Sequence, residues 1–142
     1  MGFEIVELSS EEELGESFQV MSQLRPHLSK EEYIDLLEEM IPDGYRLFAL
    51  RESGKMTAVA GVSVGTNLYH GRHVWVYDLV TLEAARSKGY GKKLLEYIEN
   101  FARKENCSII ALASNLERTE AHKFYQNKMG YEKKGFVFQK VL

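Results

Sequence analysis

Cysteine is nearly missing from these 142 residues: Cys107 stands alone, so no internal disulfide can form, which fits a reducing compartment. Cys107 opens an apolar run and reads there as a small buried hydrophobe rather than a nucleophile. Long hydrophobic runs are missing too, and nothing approaches the length of a membrane span. The opening MGFEIVELSSEEE has neither the basic nor the apolar segment of a secretory signal. After Met1-Gly2, Val6 occupies the position where myristoylation needs Ser or Thr. These absences predict a cytoplasmic protein with no membrane partner. With two prolines and no repeat, linker or low-complexity stretch, residues 1–142 are expected to form a single domain with a real core.

Charge is present but unevenly spread. Residues 1–54 hold 4 Lys and Arg against 13 Asp and Glu, a balance of −9, whereas residues 55–142 hold 14 against 8, a balance of +6. Solvated helix faces account for most single charges. The split also suits a basic half that meets an anion and an acidic half that meets a cation. Nucleic acid is disfavoured, because the acidic half would repel it and no basic run carries interleaved aromatics.

Phe3–Leu8 reads as a strand. Ser10 with Glu13, and Ser29 with Glu32, are capping boxes that open two helices, the first ended by Arg25-Pro26 and the second by Ile41-Pro42-Asp43-Gly44. Strands follow over 45–51, 56–64 and 73–82, the first two joined by a hairpin at 52–55. Leu94, Leu95, Ile98, Phe101 and Ala102 mark one apolar face of a helix. Residues 108–113 read as a short, continuously apolar strand, 119–129 as a helix stopped by Gly130, and 136–141 as a final strand. The order β-α-α-β-β-β-α-β-α-β predicts an α/β fold with a mixed sheet of six to seven strands and helices on both faces.

Between the fourth strand and its helix lies Arg86-Ser-Lys-Gly-Tyr-Gly-Lys-Lys93. A P-loop would need Ser or Thr where Lys93 stands, and a dinucleotide fingerprint would need Gly where Leu94 stands, after the first strand rather than the fourth. What remains is Arg-x-x-Gly-x-Gly. Its glycines turn the backbone and present amides at a helix N-terminus, a seat for pyrophosphate with Arg86, Lys88 and Lys92 at the rim.

This motif, in this element order, resembles the GNAT family of N-acetyltransferases. A second block, Ser114–Phe136, is similar to the family's later motif, with an Asn ending the fifth strand and Phe-Tyr on the next helix. The resemblance covers essentially the whole chain and departs from the family at Glu83, where many members carry proline. It implies acetyl-CoA as cosubstrate. Main-chain groups of Leu79, Val80 and Thr81 would meet the pantetheine arm, and Arg86, Ser87, Lys88, Gly89, Tyr90, Gly91 and Lys92 would hold the pyrophosphate. Asn115 would lie beside the pantetheine, and Tyr125 would face the thioester sulfur. No metal is expected, since His70-x-x-His73 is weak ligand spacing.

Acetyl transfer needs a base for the amine, an oxyanion donor and an acid for the thiolate. A backbone N–H near Val80 is the natural oxyanion donor, and Tyr125 is the acid, unless it is only a core aromatic beside Phe124. Asp78 interrupts an apolar strand. Turned inward it is the base, directly or through water; turned outward it is a solvated carboxylate. Glu83 is the second base candidate. Arg25 and His27, between the first two helices, are acceptor-binding candidates, as are Tyr77 and Arg118. The acidic second helix suits a cationic small-molecule amine. The Ser114–Phe136 block is also similar to aminoalkylphosphonate N-acetyltransferases, whose acceptors carry an anion as well. A silent acyl-CoA-binding sensor and a protein N-acetyltransferase are the alternatives, and family members commonly pair along the final strand, which allows a homodimer.

Overall fold

Ser10 and Ser29 start the first two helices as their spacing predicts. Each hydroxyl accepts from the amide three residues on, and Glu13 and Glu32 accept the cap residue's own N–H in return. These helices, α1 (Glu11–Met21) and α2 (Lys30–Met40), follow strand β1 (Phe3–Leu8). After them come β2 (Arg46–Glu52), β3 (Lys55–Asn67), β4 (Gly71–Thr81), α3 (Tyr90–Lys104), β5 (Ile109–Leu112) and α4 (Thr119–Lys123). The computed structural model describes residues 2–142. The chain divides into two compact units, the first ending at Ala111 and the second Leu112–Leu142.

The strands lie in the order β1-β2-β3-β4-β5, and the pairs β1–β2, β2–β3 and β3–β4 are antiparallel. Side-chain alternation then sorts the core into two layers. Leu47, Ala49, Val59 and Val80 point to the side where Val20 and Met21 of α1 and Tyr33 and Leu37 of α2 pack. Phe48 points the other way, its ring 5.7 Å from Tyr97 and 5.3 Å from Phe101 of α3. Leu94, Leu95 and Ile98 of that helix are wholly buried, each contributing about 1.5–3 kcal/mol of hydrophobic stabilisation. With helices on both faces, β3 is buried from Met56 to Val62, which is why its sequence is apolar there apart from Thr57.

Three expectations need correction. Five strands form, not six to seven, because 136–141 has no ladder partner among the described residues. Phe136, Val137 and Phe138 are an aromatic and β-branched run that favours a strand, yet all three are exposed, and a strand exists only against a neighbour. The helix expected over 119–129 is α-helical only to Lys123; Phe124–Lys128 winds into a π-helical turn. Cys107 is half-buried in the turn before β5 rather than part of its core.

Candidate active site

The register of β3 and β4 slips by one residue at the centre of the sheet. Gly61 faces Asp78 while Val62 faces Val76, so Tyr77 is an extra residue, a β-bulge. Its carbonyl, freed from the ladder, accepts from Arg25 Nη2 at 3.0 Å. Its ring is half-exposed, 6.0 Å from Tyr45 and 6.5 Å from Trp75, and does not join the core.

Beside the bulge, the strand turns Asp78 inward, leaving its side chain 11% exposed. Arg25 reaches Oδ1 from the α1–α2 connection, with Nε at 3.0 Å and Nη2 at 2.9 Å. The Tyr45 hydroxyl donates to Oδ2 at 2.7 Å. Burial and the adjacent carboxylate push the Tyr45 phenol well above its ordinary range. Tyr33, hydrogen-bonded to Ser17, is pushed up to about 12, chiefly by burial, with the Asp78 charge adding to it. His27 is exposed in the same connection, near Glu32.

Tyr45 has room because position 61 is glycine. A Cβ there would sit 1.6 Å from the Tyr45 hydroxyl oxygen. Neither Tyr45 nor Gly61 was singled out by the sequence reading. A glycine inside an apolar strand was the available signal, since it marks close approach of another group.

The loop from β4 to α3 begins with a short 3₁₀ turn, Glu83–Ala85. Gln23, also missed, straddles its start: its amide donates to the Thr81 carbonyl at 3.0 Å and accepts from the Glu83 N–H at 3.0 Å. Arg86 folds back to the same carbonyl at 3.1 Å, so a ligand using Thr81 O would displace one of these donors. The Glu83 side chain is exposed. Ser87 and Gly89 both take left-handed backbone, at φ 75° and 78°. Gly89 ends the loop without any side-chain cap on α3, so the first amides of this 15-residue helix are left for another acceptor. Lys92 is exposed on the first turn. Lys88 pairs with Glu52 at 3.4 Å, and Tyr90, buried against Phe3, gives its hydroxyl to Glu52. That hydrogen bond holds the Glu52 carboxyl below the usual carboxylate range. The Tyr90 side chain is thus an anchor of the loop, and only its backbone is available to a phosphate.

Leu79 is buried, two residues before Thr81, on the sheet face opposite Val80.

The second unit carries the remaining expected residues. Asn115 Oδ1 accepts from Glu117 N–H at 2.9 Å, and its carbonyl meets His122 Nε2 at 2.9 Å. The neighbouring Ser114 Oγ is buried with no hydrogen-bond partner among the described residues. Tyr125, in the π-helical turn, is buried with its ring 6.0 Å from Tyr131. Burial raises its pKa, while the charge and hydrogen bond of Arg118 oppose the rise. Among the described residues no cluster of three or more His, Cys, Asp or Glu could hold a metal, although the His70 and His73 rings lie 5.1 Å apart.

Residues 9–131, a stretch running through both units, match the family model described as the Acetyltransferase (GNAT) family. The chain belongs to that family. It is an N-acetyltransferase, and its mixed sheet flanked by helices is the family's fold. It is 42% identical over 135 residues to "Uncharacterized N-acetyltransferase YhdJ" of Bacillus subtilis (strain 168), covering 94% of this chain and 95% of that protein. It is 32% identical over 99 residues to the aminoalkylphosphonate N-acetyltransferase of Salmonella typhimurium (strain LT2), 69% of this chain and 62% of that protein. Among solved structures, the aminoglycoside N-acetyltransferase AAC(6')-Iy in complex with CoA is similar in fold. Its TM-score is 0.86 at 19% identity, over 99% of this chain and 94% of that one. No helix of this acetyltransferase is long and apolar enough to cross a membrane among the described residues.

Proposed function

We propose that this acetyltransferase moves the acetyl group of acetyl-CoA to a primary amine of a small molecule, by direct attack in a ternary complex, with residues 1–142 working as a single domain. The observation that carries the cosubstrate is the start of α3. Its amides are uncapped, its loop takes left-handed turns at Ser87 and Gly89, and Arg86 and Lys92 stand beside it. Such a terminus binds a pyrophosphate through aligned N–H groups and the helix dipole. The backbone of Leu79 and Val80, Asn115 and the unpartnered Ser114 hydroxyl are the groups assigned to the pantetheine arm.

In the reaction, Asp78 takes the proton of the acceptor's ammonium, directly or through one water. The freed lone pair forms the N–C bond, an N–H near Val80 holds the oxyanion, and Tyr125 protonates the leaving thiolate. Glu83 is the second base candidate. Arg25, His27, Tyr77 and Arg118 are assigned to the acceptor. The half-exposed Tyr77 ring beside Trp75 and the Arg25 side chain, 41% exposed, support an acceptor that combines an amine with a polar or anionic group. The names of the aminoglycoside and aminoalkylphosphonate relatives support the same small-molecule class.

The test is release of free thiol from acetyl-CoA across a panel of kanamycin, spermidine, 2-aminoethylphosphonate, amino acids and a lysine peptide. Turnover with a small amine is the expected result. Tight acetyl-CoA binding without turnover on any amine would mean an acyl-CoA sensor, and turnover on the peptide alone a protein acetyltransferase.

A further inference from the structure

Tyr45 comes from no recognised motif, yet it makes the shortest side-chain contact to Asp78, 2.7 Å from hydroxyl to Oδ2, and is itself 5% exposed. We propose that Tyr45 is a positioning residue for amine deprotonation, holding the Asp78 carboxylate from a seat that a side chain at position 61 would close. The inference rests on the reading of Asp78 as the base.

The geometry supplies the argument. Asp78 has two oxygens and one structural donor group on each: Arg25 on Oδ1 and Tyr45 on Oδ2. Two points of attachment hold the carboxyl plane against rotation, so the lone pairs that remain open point in fixed directions. The groups facing Asp78 come from several elements. Arg25 reaches it from the α1–α2 connection, Tyr33 lies on α2, Tyr45 precedes β2, and Tyr77 adjoins it on β4. β3 contributes Gly61, which has no side chain and so admits the phenol. Because the Tyr45 phenol stays protonated far into the alkaline range, it remains a donor wherever the enzyme works. Tyr45 therefore orients the Asp78 carboxylate as a hydrogen-bond donor and does not itself take the proton.

Asp35 and Asp43 are the only other aspartates, so carboxyl-¹³C aspartate labelling makes Asp78 directly observable by NMR, its signal assigned by loss in Asp78→Asn. In Tyr45→Phe the Asp78 carboxyl signal should move at neutral pH, because one of its two attachments is gone. Gly61→Ala, which pushes the phenol aside without removing it, should move the signal the same way. The two changes combined should not add. Thermal melting and acetyl-CoA affinity check that each variant is folded. With 2-aminoethylphosphonate or kanamycin, whichever turns over faster, kcat should fall about tenfold in Tyr45→Phe. Acetyl-CoA KM should stay unchanged. An unchanged kcat in a folded Tyr45→Phe overturns the role of Tyr45 and leaves the base reading standing. A rising limb of the pH–rate profile retained in Asp78→Asn overturns the base reading and, with it, the catalytic meaning of the Tyr45 contact, even where the carboxyl signal moves.

Discussion

Tyr125 and Arg118 form a pair in which two effects oppose. Burial keeps the phenol protonated, and the guanidinium draws it back toward its ordinary value. Tyr125→Phe should lower kcat about 10²-fold and leave acetyl-CoA affinity unchanged, measured by steady-state thiol release beside calorimetric binding. Arg118→Met removes the lowering influence. A descending alkaline limb set by Tyr125 should then move to higher pH. Tyr33 carries a stability prediction instead. Its native pKa of about 12 lies above the unfolded value, so between roughly pH 10 and 12 the native state holds a proton that the unfolded state has released. Rising pH therefore favours unfolding, and about 3 kcal/mol should be lost across that window. Urea melts at several alkaline pH values should reveal it, with a shallower slope in Tyr33→Phe. Little of this was legible in the sequence. Asp78 stood out as an acid in an apolar strand, but its partners Arg25 and Tyr45 are 53 and 33 residues away, and no local pattern pairs them.

Among the elements, the helices were the most legible, because capping boxes and apolar stripes are short-range signals read within one or two turns. The loop ahead of α3 was legible for the same reason, down to the glycine that must adopt φ 78°. Gly89→Asp should weaken CoA binding on the order of 10²–10³-fold. The left-handed backbone disfavours a side chain, and a carboxylate facing a phosphate costs about 4 kcal/mol at an effective dielectric near 20. Titration calorimetry checks this, with near-wild-type affinity in a folded variant counting against the pyrophosphate seat. The bulge at Tyr77 was not legible, since it is a mismatch between two strands and belongs to neither sequence alone. Gln23, bridging Thr81 and Glu83 from the end of α1, escaped notice on similar grounds.

At the scale of the whole molecule, the final segment separates pattern from structure. Residues 136–142 hold five apolar residues in seven, yet Phe138, Val141 and Leu142 are 91%, 88% and 111% exposed and pair with no strand among the described residues. Ending the chain at Lys134 should therefore leave the melting temperature within about 2 °C of the full chain, because side chains exposed in the native state contribute little to folding. A large drop would mean that the segment has a partner. By itself the sequence determined the two capped helices, the glycine turn ahead of α3 and the α/β order that resembles an acetyltransferase, all of them set by interactions between residues close along the chain. Only the tertiary structure decided that Asp78 faces inward between Arg25 and Tyr45, that Gly61 makes room for the phenol, and that Tyr90 turns its ring toward Phe3 and its hydroxyl toward Glu52. Those arrangements depend on strand register and on helices crossing the sheet, where the contacting groups lie tens of residues apart and the register, not the local sequence, selects which of them meet.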